Sequence, residues 1–367
     1  MHVVIVGNGV AGTEAATLLR SRDRDCRITV VSEESDHFFS RTALMYVVSG
    51  QMSYRDIEPL ERDVCARLGF ERVRARVTGL DPERKLLTLA SGEPLAYDRL
   101  LIACGSEPRR PPWRSYEALQ GVGHLVTMQD LEWLEEEVHG RSAVDAPPRA
   151  REHETDLPSP YKRRKAAAAT RGHRARKPLI VGGGLIGIES VEIMLAAGLR
   201  PTFVVREEWF WPIALDAREG TWIAEELRHH GVDVKLGANV RDLVGKDGLV
   251  TGVDTDQGPI EADLVVVAIG VVPNTAWLGD AVRRDPGGGI LVDEHLRTSA
   301  PDVWAAGDCA SVRWFDGRVR PEQLWYTGRD QGRIAGRQLA GEVDAAYVRG
   351  TWYNSAKLMD IEYTTAG

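Results

Sequence analysis

The sequence is poor in cysteine and has no long hydrophobic run. Its 367 residues include four cysteines, which are Cys26, Cys65, Cys104 and Cys309. They are too far apart in sequence to form a Cys-x-x-Cys redox pair or the ligand spacing of a zinc site. The sequence therefore predicts no metal site, and most of these thiols are expected to be buried small apolar residues.

No stretch of about 18 apolar residues is present that would cross a bilayer as a helix. Met1 leads directly into an apolar strand pattern, without a basic leader or a cleavable apolar segment, so a cytoplasmic location is expected. The formal net charge is −8. This charge provides no overall attraction to nucleic acid or to anionic lipid.

The chain opens with an apolar run that breaks into a glycine-rich turn. Val3 to Val6 is apolar, and Gly7, Gly9 and Gly12 follow in the spacing G-x-G-x-x-G before a helical pattern. In a dinucleotide site the first glycine permits a tight turn and the second lets backbone N–H groups approach a pyrophosphate. The third allows the helix to pack closely on the strand. The phosphates would lie at the positive N-terminus of the helix.

A second apolar strand pattern, Ile28 to Val31, ends near Glu33. This acid lies 21 positions after Gly12, close to the roughly 20 expected for a carboxylate that binds an adenosine ribose. A glycine-rich turn can also serve only to join a strand to a helix. The strand, the helix and the distant acid together favour a dinucleotide site.

The opening pattern recurs later in the chain. Pro178 to Val181 is apolar and leads into Gly182, Gly184 and Gly187, again followed by a helical pattern. The strand that closes each unit recurs as well, because Asp98 to Gly105 and Asp263 to Gly270 have the same length and apolar character. Two dinucleotide cassettes are therefore predicted, with the second nested within the first.

Residues 140–177 differ in composition from the rest of the chain. They are rich in Arg, Lys, Ala and Pro and lack the apolar residues needed to offset the entropy of ordering. The segment is interpreted as a disordered basic insertion. The alternative is a basic arm for an acidic partner or nucleic acid, and the absence of interleaved aromatic residues does not favour nucleic acid.

Together with Gly307-Asp308, which ends a short strand after the second cassette, these motifs resemble the pyridine nucleotide–disulfide oxidoreductase superfamily. These are flavoproteins with two dinucleotide-binding domains, the first for FAD and the second for NAD(P)H, and the resemblance covers nearly the whole chain. It implies an α/β fold with two Rossmann-like three-layer domains. Residues 1–120 and 273–345 would form the FAD domain, 121–272 the inserted NAD(P)H domain, and 346–367 the start of a truncated C-terminal β interface domain.

The resemblance also assigns cofactor contacts to positions of this sequence. FAD would be held by Gly7, Gly9, Gly12, Glu33, Arg41, Ala103, Gly105, Gly307, Asp308, Leu324 and Trp325. NADPH or NADH would be held by Gly182, Gly184, Gly187, Arg206 and Gly270. Asp308 would bind a ribityl hydroxyl, and a helix opening near Leu324 and Trp325 would direct its N-terminus at the N1/O2 edge of the flavin.

Phe39 to Gly50 resembles the segment of coenzyme A disulfide reductases and NADH peroxidases that carries their redox cysteine. Thr42 stands at the position of that cysteine, and a threonine forms neither a thiolate nor a mixed disulfide. The resemblance is therefore to rubredoxin and ferredoxin reductases, which pass electrons from flavin to an external acceptor without a cysteine relay. The run from Trp352 to Tyr363 resembles relatives with a further dimerisation domain, so a homodimer is left open.

The expected reaction is hydride transfer from nicotinamide C4 to flavin N5, followed by electron transfer to an iron–sulfur protein, a quinone or a small molecule. Glu189 is the first catalytic candidate, with a simple helix first-turn charge as its alternative. Thr42 is the second, either as a hydrogen-bonding group near the isoalloxazine or as a filler of the cysteine's space. The alternatives for the whole protein are an NAD(P)H oxidase that uses oxygen, and a flavin-bound redox sensor or binding module that uses the basic insertion.

Arg206 follows the second strand of the second cassette, Thr202 to Val205. A basic residue at that place suits the 2′-phosphate of NADPH, whereas an acid suits the 2′-hydroxyl of NADH. The sequence favours NADPH, although Glu207 and Glu208 follow at once and either could bind the ribose instead.

Overall fold

The computed structural model describes residues 1–139, 176–351, 353–359 and 361–366. The predicted basic insertion, 140–177, lies outside these residues except for Arg176 and Lys177. Among the described residues, no helix is both long enough and apolar enough to cross a membrane. The cytoplasmic location stays a prediction.

The helices of the described chain are α1 (Val10–Arg22), α2 (Leu44–Val48), α3 (Val64–Arg67), α4 (Met128–His139), α5 (Leu185–Ala196), α6 (Ala217–His229) and α7 (Trp325–Leu339). Two 3₁₀ turns span Arg41–Ala43 and Ala276–Leu278.

The strands up to the second cassette are β1 (His2–Val6), β2 (Arg27–Val31), β3 (Phe70–Val73), β4 (Val77–Asp81), β5 (Leu86–Leu89), β6 (Leu95–Ala96), β7 (Arg99–Ile102), β8 (Ser106–Pro108) and β9 (Val122–Gly123). Those that follow are β10 (Pro178–Val181), β11 (Thr202–Val205), β12 (Asp233–Leu236), β13 (Val240–Lys246), β14 (Leu249–Thr255), β15 (Gly258–Glu261), β16 (Leu264–Val267), β17 (Val271–Pro273), β18 (Ile290–Leu291), β19 (Val303–Ala305), β20 (Ala310–Arg313), β21 (Val319–Pro321), β22 (Tyr353–Leu358) and β23 (Ile361–Ala366).

The first domain is built on a five-stranded sheet with the order β19-β7-β1-β2-β3. All of its pairings are parallel. One face packs Ile5 and Leu101 with residues of α1 and α7, and the other packs Val4 and Leu100 with the antiparallel sheet β4-β5-β6. Helices, parallel sheet and antiparallel sheet therefore form three layers.

The second domain repeats this architecture. Its five parallel strands have the order β12-β11-β10-β16-β9. Ile180 and Val266 pack with α5 and α6 on one face, and Leu179 and Val265 pack with the sheet β13-β14-β15 on the other. The predicted α/β fold class is confirmed.

The two sheets differ in the origin of their fifth strand. In the first domain β19 comes from the end of the chain, after both cassettes, whereas in the second domain β9 comes from the segment before its own cassette. The chain passes between the domains twice, and the two crossing strands, β8 and β17, pair antiparallel with Glu107 opposite Val272.

A row of glycines on α7 brings this helix against α1. A Cβ on Gly332 would lie 2.4 Å from the carbonyl oxygen of Ala11, and one on Gly336 would lie 2.7 Å from that of Ala15. Only a residue without a side chain allows this approach of one helix to the backbone of the other. The packing sets the N-terminal end of α7 beside the first glycine turn, because Gly328 lies next to Val10.

The chain ends in an antiparallel hairpin of β22 and β23. The backbone N–H of Met359, in its turn, donates to the Glu192 carboxylate of α5. The ring of Tyr353 lies 4.6 Å from that of Tyr326 at the start of α7. The hairpin therefore contacts elements of both domains.

Candidate functional site

The first glycine turn is tightly packed at two of its three glycines. Gly7 has a φ of +107°, and a Cβ there would lie 2.1 Å from the carbonyl oxygen of Ala103. A Cβ on Gly12 would lie 2.0 Å from the carbonyl oxygen of Gly7. These two positions hold β1, α1 and the end of β7 together and accept no other residue without a backbone shift.

Gly9 differs from Gly7 and Gly12 because a Cβ there would meet no atom of the described residues within 4 Å. The residue is the N-cap of α1, and no side chain caps the first N–H groups of the helix. Among the described residues, an open space thus lies over the positive end of a helix, whose first backbone N–H groups have no carbonyl partner within the helix. This cradle fits the pyrophosphate of a dinucleotide.

The second glycine turn has nearly the same close-packing distances as the first. Gly182 has a φ of +120°, and its Cβ would lie 2.2 Å from Ala268 O, while that of Gly187 would lie 2.0 Å from Gly182 O. Gly184 again has open space around it and caps α5 without a side-chain hydrogen bond. The chain therefore contains two matching cradles.

The structure brings Glu33 to the end of β2 but pairs it with another residue. Its carboxylate lies 2.6 Å from Nε of Arg76, and 35% of its side chain is exposed. Sequence reasoning missed Arg76 because that residue lies far along the chain, in the connection between β3 and β4. The ribose role of Glu33 stays a prediction.

Arg41 is held by a carboxylate that sequence reasoning also missed. Its two terminal nitrogens lie 2.9 and 2.6 Å from the two oxygens of Glu34, and it also donates to the carbonyl oxygen of Val126. Burial lowers the pKa of Arg41, but Glu34, Asp308 and Asp130 together outweigh this effect and leave the pKa above its usual value. Arg41 thus links the loop after β2 to the segment before α4.

Asp308 lies at the end of β19 among polar partners. Ser106 Oγ donates to its carboxylate at 3.1 Å, and Gln323 donates to Ser106 Oγ at 3.0 Å. Burial raises the pKa of Asp308, against the opposing effects of the Ser106 hydrogen bond and of Arg41. Gly307 has a φ of +80°, and its N–H donates to Gln331 of α7 at 2.8 Å.

At the N-terminal end of α7, the first backbone N–H groups have no carbonyl partner within the helix. Leu324 caps the helix without a side-chain hydrogen bond, and the first turn has no acidic residue. In the described part of the chain, Nε1 of Trp325 is buried and has no hydrogen-bond partner. An uncapped helix end and an orphaned indole N–H fit the electron-rich edge of a flavin, which accepts hydrogen bonds.

Glu189 lies in α5, two residues after Gly187. Burial, with a smaller contribution from the nearby Glu192 carboxylate, raises the pKa of Glu189 to about 8. Its carboxyl group is therefore largely protonated at neutral pH, which sequence reasoning did not foresee. A protonated carboxyl carries no negative charge.

Thr42 lies exposed in the 3₁₀ turn Arg41–Ala43, with its hydroxyl 3.2 Å from that of Ser40. The helix that follows, α2, packs in one core with α5, since Leu44 and Val47 belong to the same cluster as Ile188. The helix that directly follows the turn of Thr42 is thus packed, across the two domains, against the helix that carries Glu189.

Arg206 follows β11 directly, as predicted. Its guanidinium lies 2.9 Å from the carboxylate of Glu207, and 75% of its side chain is exposed. The backbone of Glu207 is itself fixed, because its carbonyl accepts from the N–H of Gly237 at 2.9 Å. The described residues contain no group of three or more His, Cys, Asp or Glu that could hold a metal ion.

A family model for the pyridine nucleotide-disulphide oxidoreductases matches residues 1–332. The chain belongs to this family. The resemblance identified in the sequence is confirmed, and the protein is an FAD-dependent NAD(P)H oxidoreductase.

Named relatives of this oxidoreductase cover most of its length. A ferredoxin–NAD(P)⁺ reductase of a Sphingomonas species is 29% identical over 388 residues, which cover 100% of this chain and 80% of the relative. An NADH oxidase of Enterococcus faecalis is 29% identical over 361 residues, which cover 96% of this chain and 72% of the relative. The crystal structure of a covalent putidaredoxin reductase–putidaredoxin complex has a TM-score of 0.83 at 23% identity, over 100% of this chain and 81% of that one.

Proposed function

We propose that this oxidoreductase passes electrons from NADPH through FAD to a small iron–sulfur protein. The observation that carries the proposal is Thr42, which lies on an exposed turn. By the resemblance identified in the sequence, it stands at the position of the redox cysteine of coenzyme A disulfide reductases and NADH peroxidases. Without a thiol there, electrons leave the flavin directly for an external acceptor. The ferredoxin–NAD(P)⁺ reductase among the relatives supports an iron–sulfur acceptor.

FAD would lie in the cradle over Gly9, and the nicotinamide dinucleotide in the one over Gly184. The FAD domain would comprise residues 1–120 and 273–345, the NAD(P)H domain 121–272, and the C-terminal hairpin would begin an interface domain at 346–367. A homodimer through that part of the chain is compatible with this division. The other cofactor-binding positions predicted from the family resemblance keep their roles in this proposal. They are Gly7, Gly12, Glu33, Ala103, Gly105, Gly182, Gly187, Gly270 and Gly307.

When bound, FAD supplies the chemistry of accepting a hydride and releasing its electrons. The chain's own contribution begins at α7, where Trp325 Nε1, the backbone at Leu324 and the positive helix end would stabilise negative charge on the flavin. Asp308 would fix the ribityl chain, and Arg41 would neutralise phosphate charge nearby. Such preorganised groups stabilise developing charge without reorganising during the reaction.

Glu189 and Thr42 would act near the reacting rings. Glu189, held protonated at neutral pH by burial, would keep negative charge away from the nicotinamide while its proton remains available for a hydrogen bond. Thr42 would offer a neutral hydroxyl at the flavin. Arg206 would bind the 2′-phosphate of NADPH once its ion pair with Glu207 breaks. That ion pair is exposed to solvent and therefore weak.

The proposal is tested by following NADPH oxidation with and without a purified ferredoxin, in air and without oxygen. We expect turnover that depends on the ferredoxin in both conditions. Turnover in air without any added acceptor, with stoichiometric oxygen uptake, would instead favour an oxidase, the activity named for the Enterococcus relative. Turnover only with a quinone or a small dye would refute the iron–sulfur acceptor while leaving the oxidoreductase intact.

A further inference from the structure

A small cavity lies between the helices and the strands of the first domain. Its volume is about 50 Å³, which accommodates a few water molecules or a ligand of a few non-hydrogen atoms. Its apolar wall consists of Ala16 of α1, Val30 of β2, Val64 of α3 and Phe70 of β3. Neither Gly9 nor Glu33 is among the described residues that line it, so the cavity is separate from the first cradle.

Arg74, which follows β3, also lines this cavity. Its Nη1 donates to the carboxylate of Asp36 at 3.0 Å. Its Nε and Nη2 are buried and have no hydrogen-bond partner among the described residues, although 24% of the side chain is exposed. A buried donor on a charged group costs free energy when nothing accepts from it. The two nitrogens are therefore suited to oxygens that a ligand supplies.

The nitrogens Nε and Nη2 form one edge of a guanidinium, and elsewhere in this chain that edge binds a carboxylate. In Arg27 they lie 2.9 and 2.7 Å from the two carboxylate oxygens of Glu71. In Arg62 they lie 2.9 and 3.1 Å from those of Glu58. Two parallel N–H···O bonds of this kind are the geometry in which arginine recognises a carboxylate. The same edge of Arg74 thus has the geometry for a carboxylate ligand.

The charges around the cavity also favour an anion. Arg72 lines it as well, and its Nη1 donates to the backbone carbonyl of Asp36 at 2.7 Å. Two carboxylates line the cavity, of which Asp36 pairs with Arg74 and Glu61 pairs with Arg55 at 3.1 Å. Among the described residues, Arg72 has no carboxylate partner, so one positive charge beside the cavity remains to be balanced.

We propose that this cavity binds a small carboxylate of two or three carbons. Its two oxygens accept from Nε and Nη2 of Arg74, and its hydrocarbon part packs on the apolar wall. Asn8 of the first glycine turn lines the same cavity, and its side chain bonds to the carbonyl of Ser35 at 2.7 Å and to Ser32 Oγ at 3.0 Å. The ligand would therefore contact the turn that carries the first cradle.

Binding is tested on the full-length, FAD-loaded protein with propionate as the probe. Saturation-transfer difference NMR is expected to show transfer from the protein to the propionate methyl group, and a titration gives the Kd. Inorganic phosphate is expected to bind more weakly, because it has no hydrocarbon part for the apolar wall. Equal affinity for phosphate and propionate would contradict the assignment to a carboxylate with a hydrocarbon part.

Variants at two arginines test the role of the guanidinium edge. Arg74→Gln is expected to weaken propionate binding at least about tenfold, because a pair of charge-assisted hydrogen bonds is lost. Arg27→Gln makes the same change at an arginine whose edge is filled by Glu71, and it should leave the Kd unchanged. Val64→Phe places a larger ring at the apolar wall and should abolish binding without removing a charge. An unaltered Kd in Arg74→Gln would refute the proposal.

Cys65 of α3 lines the cavity and allows the ligand to be located in the wild type. Its alkylation by iodoacetamide is followed by peptide mass spectrometry, with sodium chloride as the control for ionic strength. At a propionate concentration about ten times the Kd, the rate should fall roughly tenfold, since only the unbound fraction reacts. This measurement decides the matter even if a variant fails to fold.

One outcome would assign the cavity to the flavin instead. If loading FAD alone protects Cys65 and propionate then neither binds nor adds protection, the cavity is part of the FAD site and the proposal is wrong. Propionate binding without protection of Cys65 would place the ligand elsewhere and would equally refute it. None of these readouts uses turnover, so their failure is separate from any failure of the proposed electron acceptor.

Discussion

At the scale of single residues, surroundings rather than identity set the chemistry of the site. Glu189 and Glu207 are both carboxylates of the second domain, yet burial raises the pKa of the first to about 8 while the second pairs with an arginine at the surface. The same holds for Trp325, whose indole N–H would bond to water in solvent but is buried and has no hydrogen-bond partner among the described residues.

Replacing Glu189 by Gln is expected to remove a pH dependence of stability. A carboxyl whose pKa rises on folding stabilises the folded state fully below its unfolded pKa, and this contribution is lost as the pH rises through about 8. The unfolding free energy of the wild type should therefore fall between about pH 5 and about pH 9 relative to Glu189→Gln in urea unfolding. Glu225→Gln, at an exposed position of α6, should keep the wild-type slope, and a parallel slope for Glu189→Gln would contradict the burial effect.

Replacing Arg206 by Glu is expected to shift nucleotide preference toward NADH. A charge-assisted hydrogen bond to the 2′-phosphate contributes about 1.5–3 kcal/mol, so the ratio of kcat/KM for NADPH over NADH should drop by roughly tenfold or more. Arg313→Glu, a matched reversal at an exposed position of the first domain, should leave the ratio unchanged. An unaltered ratio in Arg206→Glu would show that Arg206 does not contact the phosphate.

At the scale of secondary structure, the strand–turn–helix cassette separates two tasks among its glycines. Gly7 and Gly12 make the packing possible, since a Cβ at either would meet backbone atoms. Gly9 does nothing for the packing, because the space around it is open. The second cassette divides the tasks in the same way, with Gly184 at the open position.

This division predicts a pair of matched variants. Gly9→Ala should fold with nearly unchanged Tm but bind FAD at least about tenfold more weakly, because the methyl group fills the cradle over the α1 N-terminus. Gly184→Ala should keep its FAD and instead raise KM for the nicotinamide nucleotide. Fluorescence titration of FAD and steady-state kinetics check both changes. Loss of FAD from both variants, or from neither, would contradict the assignment of one cofactor to each cradle.

At the scale of the whole molecule, the sequence predicted the two cassettes because each is a local pattern of strand, glycines and helix. It also predicted the end of β11 before Arg206, and the family resemblance placed the beginning of a helix near Leu324 and Trp325, where α7 begins. It did not predict that β9 completes the second sheet, because a strand of only two residues has no recognisable sequence pattern.

The sequence also did not predict contacts between segments that are far apart in the chain. The pairing of Arg41 with Glu34 and Val126 follows from how the folded chain brings its loops together, and no spacing in the sequence indicates it. The packing of α7 against α1 could have been predicted from the glycines of α7. Gly328, Gly332 and Gly336 recur every four residues, which is the spacing that places small residues on one helix face.

The central claim is that two adenine dinucleotides bind in matching cradles and exchange a hydride. It is tested most directly by mixing the purified, FAD-loaded protein with NADPH, and separately with NADH, without oxygen and following the visible absorbance of the flavin. We predict that the absorbance bleaches rapidly, and faster with NADPH than with NADH. A protein that takes up no FAD, or a bound flavin that neither nucleotide bleaches, would contradict the claim.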